Sequence, residues 1–511
     1  MAVPFLSKLL KEFTLKRLIF WFFWVGSHIF LFIFGFLKQK YDRSLDNLNV
    51  NGLSVWISHG AALCLAYDGA LILLPVLRNI IKYLRAISFL NKLIPFDESL
   101  WFHLQTAYAM LFWTLVHTFA HFINFWKLEQ LGKFQTWQLN YTTWAGLTGH
   151  FMLLIMVLMY TSSHYEIRHQ SFETFWYTHH LAFFFMFCLY FHGYGCFVKT
   201  DQGECKGYFS WRFTIVGGIL YFFERFLREI RARRPTKITK VIDHHLKVIE
   251  IQFDKPSFRY KAGQYLFLNV PAISTWQWHP FTITSAPDDP YISIHIRQVG
   301  DFTNKLGELL GCDSNNFNFV SKRTVPAVIP TLRIDGPYGT PTEDVFKNEI
   351  TILIGYDIGV TSFVSILKNI WYKTLISIFD IGSFQWFQSL LKTLEATQME
   401  AGLLKLHIYL TSKLGESTIN NIMINDVSSS YDPLTDLESR THYGSPNFGH
   451  IFSQLNQAIE SGLYLPGIEG NLNTKVGVYY NGPPELAKSL KKDCDSANTE
   501  GVKFHLHKES F

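Results

Sequence analysis

Four histidines stand inside long apolar segments: His103 and His117 in one, His179 and His192 in another. A neutral imidazole surrounded by hydrocarbon is costly without a partner, and a transition metal is a suitable one. Two histidines fourteen residues apart on a helix lie ~21 Å apart along the axis and differ by about 40° in facing. His103 and His117 therefore fit two metal centres stacked across a bilayer, and haem iron is commonly held by axial histidines. His179 and His192 are thirteen apart, which leaves them roughly 220° apart on an ideal helix. A bend, or a loosened last turn before Gly193 and Gly195, is needed for them to act together. The competing expectation is a core histidine bonded to backbone, which suits one such residue better than two matched pairs.

The elements that position these residues follow from the apolar pattern. The chain has 511 residues, enough for two to four domains, and is 48% hydrophobic and 17% aromatic. The apolar excess lies before about Arg231. Runs near 18–37, 53–77, 99–126, 144–163, 172–192 and 209–227 predict six transmembrane helices. The first is too long for a cleavable signal peptide, and no small-residue cleavage pattern follows it. Lys8, Lys11, Lys16 and Arg17 precede it. Arg78, Lys82, Arg85 and Lys92 follow the second run, Arg168 and His169 the fourth, and Arg225, Arg228, Arg231, Arg233 and Arg234 the sixth. These clusters mark the cytoplasmic side and place both termini there, in the plasma membrane or an endomembrane. Lys38, Lys40 and Arg43 run against the rule, with Asp42 and Asp46 beside them. The net charge of +5 is modest and suggests no nucleic-acid partner. On the outer side stand a glycosylation triplet, Asn140-Tyr141-Thr142, and the cysteines Cys196 and Cys205, which an oxidising compartment could join.

After Arg231-Ala232-Arg233-Arg234-Pro235 the pattern changes to short strands. Ile238–Phe253, Gln264–Val270, Thr282–Ser285 and Ile292–Arg297 suggest an antiparallel barrel. From Glu349 a βα rhythm begins, with strands at Ile350–Gly355, Lys405–Leu410 and Val476–Tyr480, as in a nucleotide-binding sheet. The polar segment 413–449 reads as a mobile insertion. The expected domains are 1–230, 235–345 and 346–511.

Several motifs carry chemistry. His279-Pro280-Phe281-Thr282-Ile283-Thr284-Ser285 ends in hydroxyls suited to a flavin ring and its phosphates. His295-Ile296-Arg297 offers a planar fork for pyrophosphate. Gly300-Asp301-Phe302-Thr303 opens a helix, whose N-terminus is an anion site. Asp335-Gly336-Pro337-Tyr338-Gly339 reads as a tight turn leaving the barrel. Gly355-Tyr356-Asp357-Ile358-Gly359-Val360-Thr361 joins a strand to a helix, where backbone N–H groups cradle a dinucleotide; Asp357 is awkward there, although it can cap. Asn481-Gly482-Pro483-Pro484 closes a strand beside the nicotinamide pocket, with a plain turn as the alternative.

Together with Trp101-Phe102-His103, Leu115–His121, Phe175–His180, Trp278–Thr282, Val299–Thr303, Leu434-Thr435 and Tyr443-Gly444, these motifs make the chain resemble the NADPH oxidase family within the ferric reductase superfamily, fungal members above all over 97–126. The resemblance covers nearly the whole chain. It implies a multidomain membrane protein: a six-helix transmembrane haem bundle, an antiparallel FAD-binding β-barrel and a ferredoxin-reductase-like α/β nucleotide-binding domain. It pairs His103 with His179 on the inner of two haem b groups and His117 with His192 on the outer, and family members share the thirteen-residue spacing. It assigns FAD to His279, Pro280, Phe281, Thr282, Ser285, His295, Arg297 and Thr303. NADPH falls to Gly336, Pro337, Gly355, Gly359, Val360, Thr361, Gly482 and Pro483, with Lys413 or Arg440 as a source of positive charge. Phe511 covers the flavin, and Asn481 lines the nicotinamide pocket. His121, with His59 in place of the family's arginine, marks the oxygen site. The activity implied is electron transfer from NADPH to molecular oxygen, giving superoxide, since the outer loop 193–210 is short and lacks histidine. Cytosolic activators and a small GTPase are implied as partners beside membrane lipid, and calcium control through a preceding helix–loop–helix is not.

The chain departs from the family where Tyr356 and Asp357 replace small residues, Ser362 replaces proline, Ser445 replaces an arginine that reaches the 2′-phosphate, and Asn481 replaces cysteine. These changes leave NADH open as a donor. With His59 they also keep a weakened paralogue acting as a regulatory subunit as an alternative, and a ferric or cupric chelate reductase is the other, since reductases of the superfamily share the histidine pairs and the flavin motif.

Overall fold

The computed structural model describes residues 15–87, 89–90, 94, 96–194, 198–204, 206, 210–244, 247–256, 258–312, 330–369, 375–380, 388–395, 404–410, 431–432, 435–461 and 474–508. The chain divides into two compact units at Leu227/Arg228.

The first unit is helical. All six apolar runs form helix: α1 Leu15–Lys40, α2 Leu53–Leu71, α3 Ser99–Gln130, α4 Trp144–Ser163, a fifth run broken into α5 Phe172–His179 and α6 Ala182–Phe191, and α7 Ser210–Ala232. Three stretches, Arg17–Lys40, Leu53–Val76 and Trp144–Ser163, are long and apolar enough to cross a membrane by length and composition. Large apolar side chains stay exposed on the bundle, among them Phe22 at 76% and Phe23 at 68%. Water disfavours such a surface, and lipid does not. Inside, α2 packs against α1 and α3. Small residues allow the close approach: a Cβ on Gly60 would stand 2.8 Å from the Phe32 carbonyl oxygen. One polar pair also joins α1 to α2, His28 Nε2 to Asp68 Oδ1 at 2.9 Å, both buried. Asn140 is buried in a short helix and its Nδ2 donates to Thr136 O at 3.0 Å. It is therefore not presented for glycosylation, contrary to the sequence expectation. Cys196 and Cys205 lie outside the described residues.

The second unit begins with β1 Lys237–His244, β2 Val248–Asp254, β3 Tyr265–Asn269, β4 His279–Thr282, β5 Ile292–Arg297 and β6 Arg333–Tyr338, with helix α8 Asp301–Leu309 after β5. The strands form two antiparallel three-stranded sheets, β1-β2-β5 and β4-β3-β6. Ile249, Ile251 and Phe253 of one sheet and Leu266, Leu268 and Ile334 of the other share one core. Among the described residues the two sheets meet in an isolated bridge, Ile283 to Ile294. The expected barrel thus takes the form of two facing sheets. Asp335–Tyr338 is not a turn but part of β6, because Asp335 is drawn fully inside by the basic residues described below.

Then follow β7 Ile350–Gly355, α9 Thr361–Lys368, β8 Leu375–Asp380, β9 Leu404–Leu410, β10 Thr441–Tyr443, α10 Phe448–Glu460, β11 Thr474–Asn481, α11 Pro484–Ala497 and β12 Val502–Lys508. They build a six-stranded, all-parallel sheet in the order β10-β9-β8-β7-β11-β12. Central strand β7 is buried throughout. Ile350, Ile352 and Ile354 pack with Phe452 and Leu490, while Leu353 packs with Phe363 and Leu367. That is the two-faced burial of a doubly wound sheet. Within the expected mobile insertion, 413–430 lies outside the described residues. Residues 435–449 are folded: Asp432 accepts the backbone N–H and hydroxyl of both Thr435 and Thr441 and anchors β10.

Candidate functional site

The histidine pairs meet as their spacing requires. The rings of His103 and His179 lie 6.2 Å apart between centroids. His192 and His117 are electrostatic neighbours. His103 Nδ1 lies 2.8 Å from Ile72 O and His117 Nδ1 lies 3.0 Å from Ser58 O. A carbonyl only accepts, so each Nδ1 carries the proton and each Nε2 presents a lone pair. His192 reaches the same state by another route. Thr148 spends its hydroxyl proton on Trp144 O at 2.7 Å and so accepts from His192 Nδ1 at 2.8 Å. Such outer partners fix the tautomer and orientation of metal-binding imidazoles. His179 Nδ1 is buried without a hydrogen-bond partner. Four imidazoles in two pairs, three with Nε2 set as a lone-pair donor, fit two haem irons.

The fifth run breaks at His180, which narrows the thirteen-residue mismatch in part. Helix α5 ends there, and His180 N and Leu181 N bond to Tyr177 O and Thr178 O, three residues back, before α6 starts at Ala182. The tighter 3₁₀ winding advances each residue further around the axis than an α-helix does. The break lies just after His179, rather than in the last turn before Gly193. His121 stands 4.5 Å from His117 between ring centroids and is an electrostatic neighbour of His59 and His192. One end of the bundle thus gathers His59, His117, His121 and His192.

In the second unit, the His279 ring stacks on Phe302 at 3.9 Å and its Nε2 is buried without a partner. Buried polar atoms are normally satisfied, so this nitrogen suits a polar ligand atom. Phe302 belongs to the first turn of α8, where Thr303 Oγ1 accepts from Gly300 N at 3.0 Å. Pro280, Phe281 and Thr282 lie on β4 beside His279, and Arg297 ends β5. These residues fit a flavin nucleotide. Two others are turned inward. Ser285 is wholly buried, its Oγ 2.7 Å from Tyr260 OH and accepting from Ser293 N at 2.9 Å. His295 Nδ1 lies 2.8 Å from Thr284 Oγ1, and its Nε2 shares Glu250 Oε2 with His244, at 3.5 and 3.0 Å. Both serve the core more than a ligand, a division that their positions in the motifs could not show.

This core is sensitive to acid. Burial alone would raise the Glu250 carboxyl, but the bonds from His244 and His295 outweigh it and hold it well below the usual range. Burial lowers His295, only partly offset by Glu250, and lowers His279 to about 4. All three bind protons more readily when unfolded: the stability from His279 is present above pH 6.5 and is lost as pH falls through about 4, that from His295 also declines as pH falls below 6.5, and that from Glu250 declines only below about 4.5. For His279 the loss reaches at most about 3 kcal/mol. The flavin-binding half is expected to unfold more readily at pH 5 than at pH 7.5, followed by tryptophan fluorescence in urea. A midpoint unchanged between these pH values would contradict the assignment.

The dinucleotide motifs converge at the C-terminal ends of β7 and β11. Gly355 pairs with Asn481, and Tyr356 N bonds to Asn481 O at 3.1 Å. A Cβ on Gly359 would lie 2.5 Å from Asn481 O, so this turn admits only glycine. Gly482 is equally confined, 2.6 Å from Tyr480 OH by the same measure. This strand–glycine turn–helix arrangement fits a dinucleotide through backbone N–H groups. Its side chains are mostly occupied. Val360 is in the core, Thr361 Oγ1 donates to Ile358 O at 2.8 Å, and Asn481 Nδ2 donates to Ser362 Oγ at 2.6 Å. Pro483 O accepts from Tyr480 OH. Ser445 follows β10 at the same C-terminal edge, where Gly444 N bonds to Leu410 O. Arg440 precedes β10, at the opposite end of that three-residue strand from Ser445. Lys413 and Phe511 lie outside the described residues. Gly336 and Pro337 sit in β6 with Arg231, Arg234, Lys255 and Arg259 rather than at the glycine turn.

One cluster is not visible from the sequence. Arg228 and Arg231, one helical turn apart at the end of α7, each bond through Nε at 3.0 Å to Asp335, which has no solvent exposure. Tyr338 OH also donates to Asp335. The Arg228 guanidinium lies 5.2 Å from the Phe267 ring and 5.6 Å from Trp278. The i, i+3 arginines are a local signal, but their shared partner is over 100 residues away.

Three family descriptions match the chain: "Ferric reductase like transmembrane component" over 65–190, "FAD-binding domain" over 234–342 and "Ferric reductase NAD binding domain" over 349–495. The mouse protein "NADPH oxidase 1" is 33% identical over 96% of this chain and 92% of its own length. A "Superoxide-generating NADPH oxidase heavy chain" of Dictyostelium discoideum is 35% identical over 95% of each. Human "NADPH oxidase 3" is 31% identical over 96% and 97%. A solved ferredoxin NADP+ reductase from Neisseria gonorrhoeae with bound FAD and NADP is 16% identical over 53% of this chain and 97% of that chain, with a TM-score of 0.34, too low to bear on the fold. Identity of this extent, over nearly the whole of these curated relatives and over membrane, flavin and nucleotide domains alike, establishes that the chain belongs to the NADPH oxidase family.

Proposed function

We propose that the chain is a transmembrane NADPH oxidase that takes electrons from NADPH in the cytosol and delivers them to oxygen across the membrane as superoxide. The observation that carries this reading is the two histidine pairs, with three of four Nδ1 atoms tied to backbone or hydroxyl oxygens. When bound, FAD and two haem b groups supply the conversion of a two-electron hydride into single electrons. His103 and His179 hold the inner haem, and His117 and His192 the outer. His59 and His121 crowd the outer pair and mark where oxygen is reduced. His279, the β4 residues, Arg297 and the start of α8 hold FAD. The glycine turn, with Gly482, holds the dinucleotide, and Phe511 covers the flavin.

Six membrane spans with both termini cytoplasmic are part of this reading, and contacts at the two ends of the bundle support it. Arg17 meets Glu98, and Asn79 N bonds to Glu224, at one end. Lys206 meets Asp42, and Asp201 accepts from Asp46 N and Asn47 N, at the other. Cytosolic activators and a small GTPase complete the reading on family grounds.

The test is an anaerobic haem spectrum of full-length, FAD-loaded protein after NADPH, then NADH, then air. Reduction by a nucleotide and reoxidation in air with superoxide detected is expected. Haems reduced by dithionite but by neither nucleotide would favour a regulatory role. Ser445→Arg is expected to lower the KM for NADPH by roughly tenfold or more, as a charge-assisted phosphate contact should, without altering that for NADH. An equal change for both nucleotides would remove Ser445 from the 2′-phosphate site.

A further inference from the structure

The basic end of α7 holds more charge than the fold consumes. Arg228 and Arg231 share Asp335. Beyond them Arg231, Arg234, Lys255 and Arg259 line one pocket, together with Pro256, Phe258, Ile334, Gly336 and Pro337. Among the described residues that lining contains no carboxylate. Lys255 is buried, and its Nζ is fixed by Arg234 O at 3.0 Å and Thr236 Oγ1 at 3.2 Å. Burial and then Arg234 press its pKa down, while Asp335, already shared by two arginines, opposes this only in part. Arg234, Lys255 and Arg259 thus converge beside the Asp335-bound Arg231, and among the described residues the pocket's lining supplies no carboxylate to these three.

The chemistry that completes such a pocket is a compact, multiply charged oxyanion. Guanidinium forks and a point-charge ammonium are the usual partners of phosphate oxygens. Position adds a second argument. Helix α7 runs without a break from Ser210 to Ala232, so Arg231 stands about 6 Å beyond Leu227, the end of the apolar run, which with α7 spanning the membrane is the depth of a headgroup layer. Basic clusters directly cytoplasmic of a membrane helix attract anionic headgroups.

We propose that this pocket binds a phosphate monoester, supplied by an inner-leaflet lipid headgroup or by a soluble phosphate compound. The lipid source rests on α7 spanning the membrane; the phosphate chemistry does not. The pocket is separate from the glycine turn that takes the dinucleotide.

The test uses full-length protein in detergent and a fluorescent short-chain phosphatidylinositol 4-phosphate, read by anisotropy. Arg234→Gln with Arg259→Gln is expected to weaken binding by about 25-fold, roughly fivefold per guanidinium. Arg225→Gln with Arg233→Gln removes the same charge outside the pocket and should change binding less than about twofold, because charges that do not touch the ligand are screened by salt. An unchanged haem spectrum shows that each variant is folded. Equal weakening by both pairs, or none by the first, would overturn the proposal. Inorganic phosphate and inositol 1,4-bisphosphate are then added as competitors. Displacement by either at the concentration of the short-chain lipid assigns the pocket to soluble phosphates, and resistance to both assigns it to lipid; both results require the loss in the first variant.

Discussion

His117→Leu and His192→Leu proteins are each expected to lose the outer haem, keep the inner one and lose oxygen reduction altogether. Leucine preserves apolar volume, so the bundle should still assemble, but it offers no donor atom. The haem content should fall from roughly two per chain to roughly one, since each iron needs both of its axial imidazoles. Pyridine haemochrome content against protein mass measures this directly. Content unchanged in both variants would sink the ligand assignment. A milder companion is Thr148→Val. Thr148 holds the His192 tautomer through one hydrogen bond. Removing an outer partner of this kind costs 10–100-fold in metal affinity on typical experience, about 1.4–2.7 kcal/mol. The outer haem should therefore leave more readily than in the parent protein, while the inner haem, whose partner is Ile72 O, is untouched.

Asp335→Ala is expected to be the most destabilising substitution in the second unit. Asp335 is fully buried and accepts from Arg228, Arg231 and Tyr338. Its removal leaves two guanidinium groups beside each other with no counter-charge between them. Breaking a buried pair in this way costs about 3–5 kcal/mol, equivalent to a fall in Tm of roughly 10 °C. Asp335→Asn keeps the shape and one acceptor and should fall between. Thermal release of flavin from the full-length protein, followed by fluorescence, measures both. An Asp335→Ala protein that releases flavin within about 2 °C of the parent would show that the arginines find other partners, since this is the scale of only about 1 kcal/mol.

The glycine turn shows where sequence is sufficient. Gly359 is legible because backbone proximity leaves a residue type as its trace: a Cβ there would stand 2.5 Å from Asn481 O. Residues whose roles depend on rotamer and partner are not legible. Ser285 and His295 stand in the flavin motifs, yet their bonds with Tyr260, Thr284 and Glu250 turn them to the core. Asp335 reads as part of a turn because its motif contains glycine and proline, although two distant arginines draw it into a strand.

By itself the sequence determined the six apolar helices, the two histidine pairs, the order of flavin and nucleotide domains and the family. These depend on local quantities: apolar length, spacing along a helix, and glycine where backbone must pass closely. Only the folded chain showed the tightened turn between His179 and His192 and which nitrogen of each bonded imidazole carries the proton. It alone brought Arg228, Arg231 and Asp335 together and opened the basic pocket beside them. The reason is physical. A hydrogen bond or a buried ion pair is set by distance in space, and its partners leave no period in the chain.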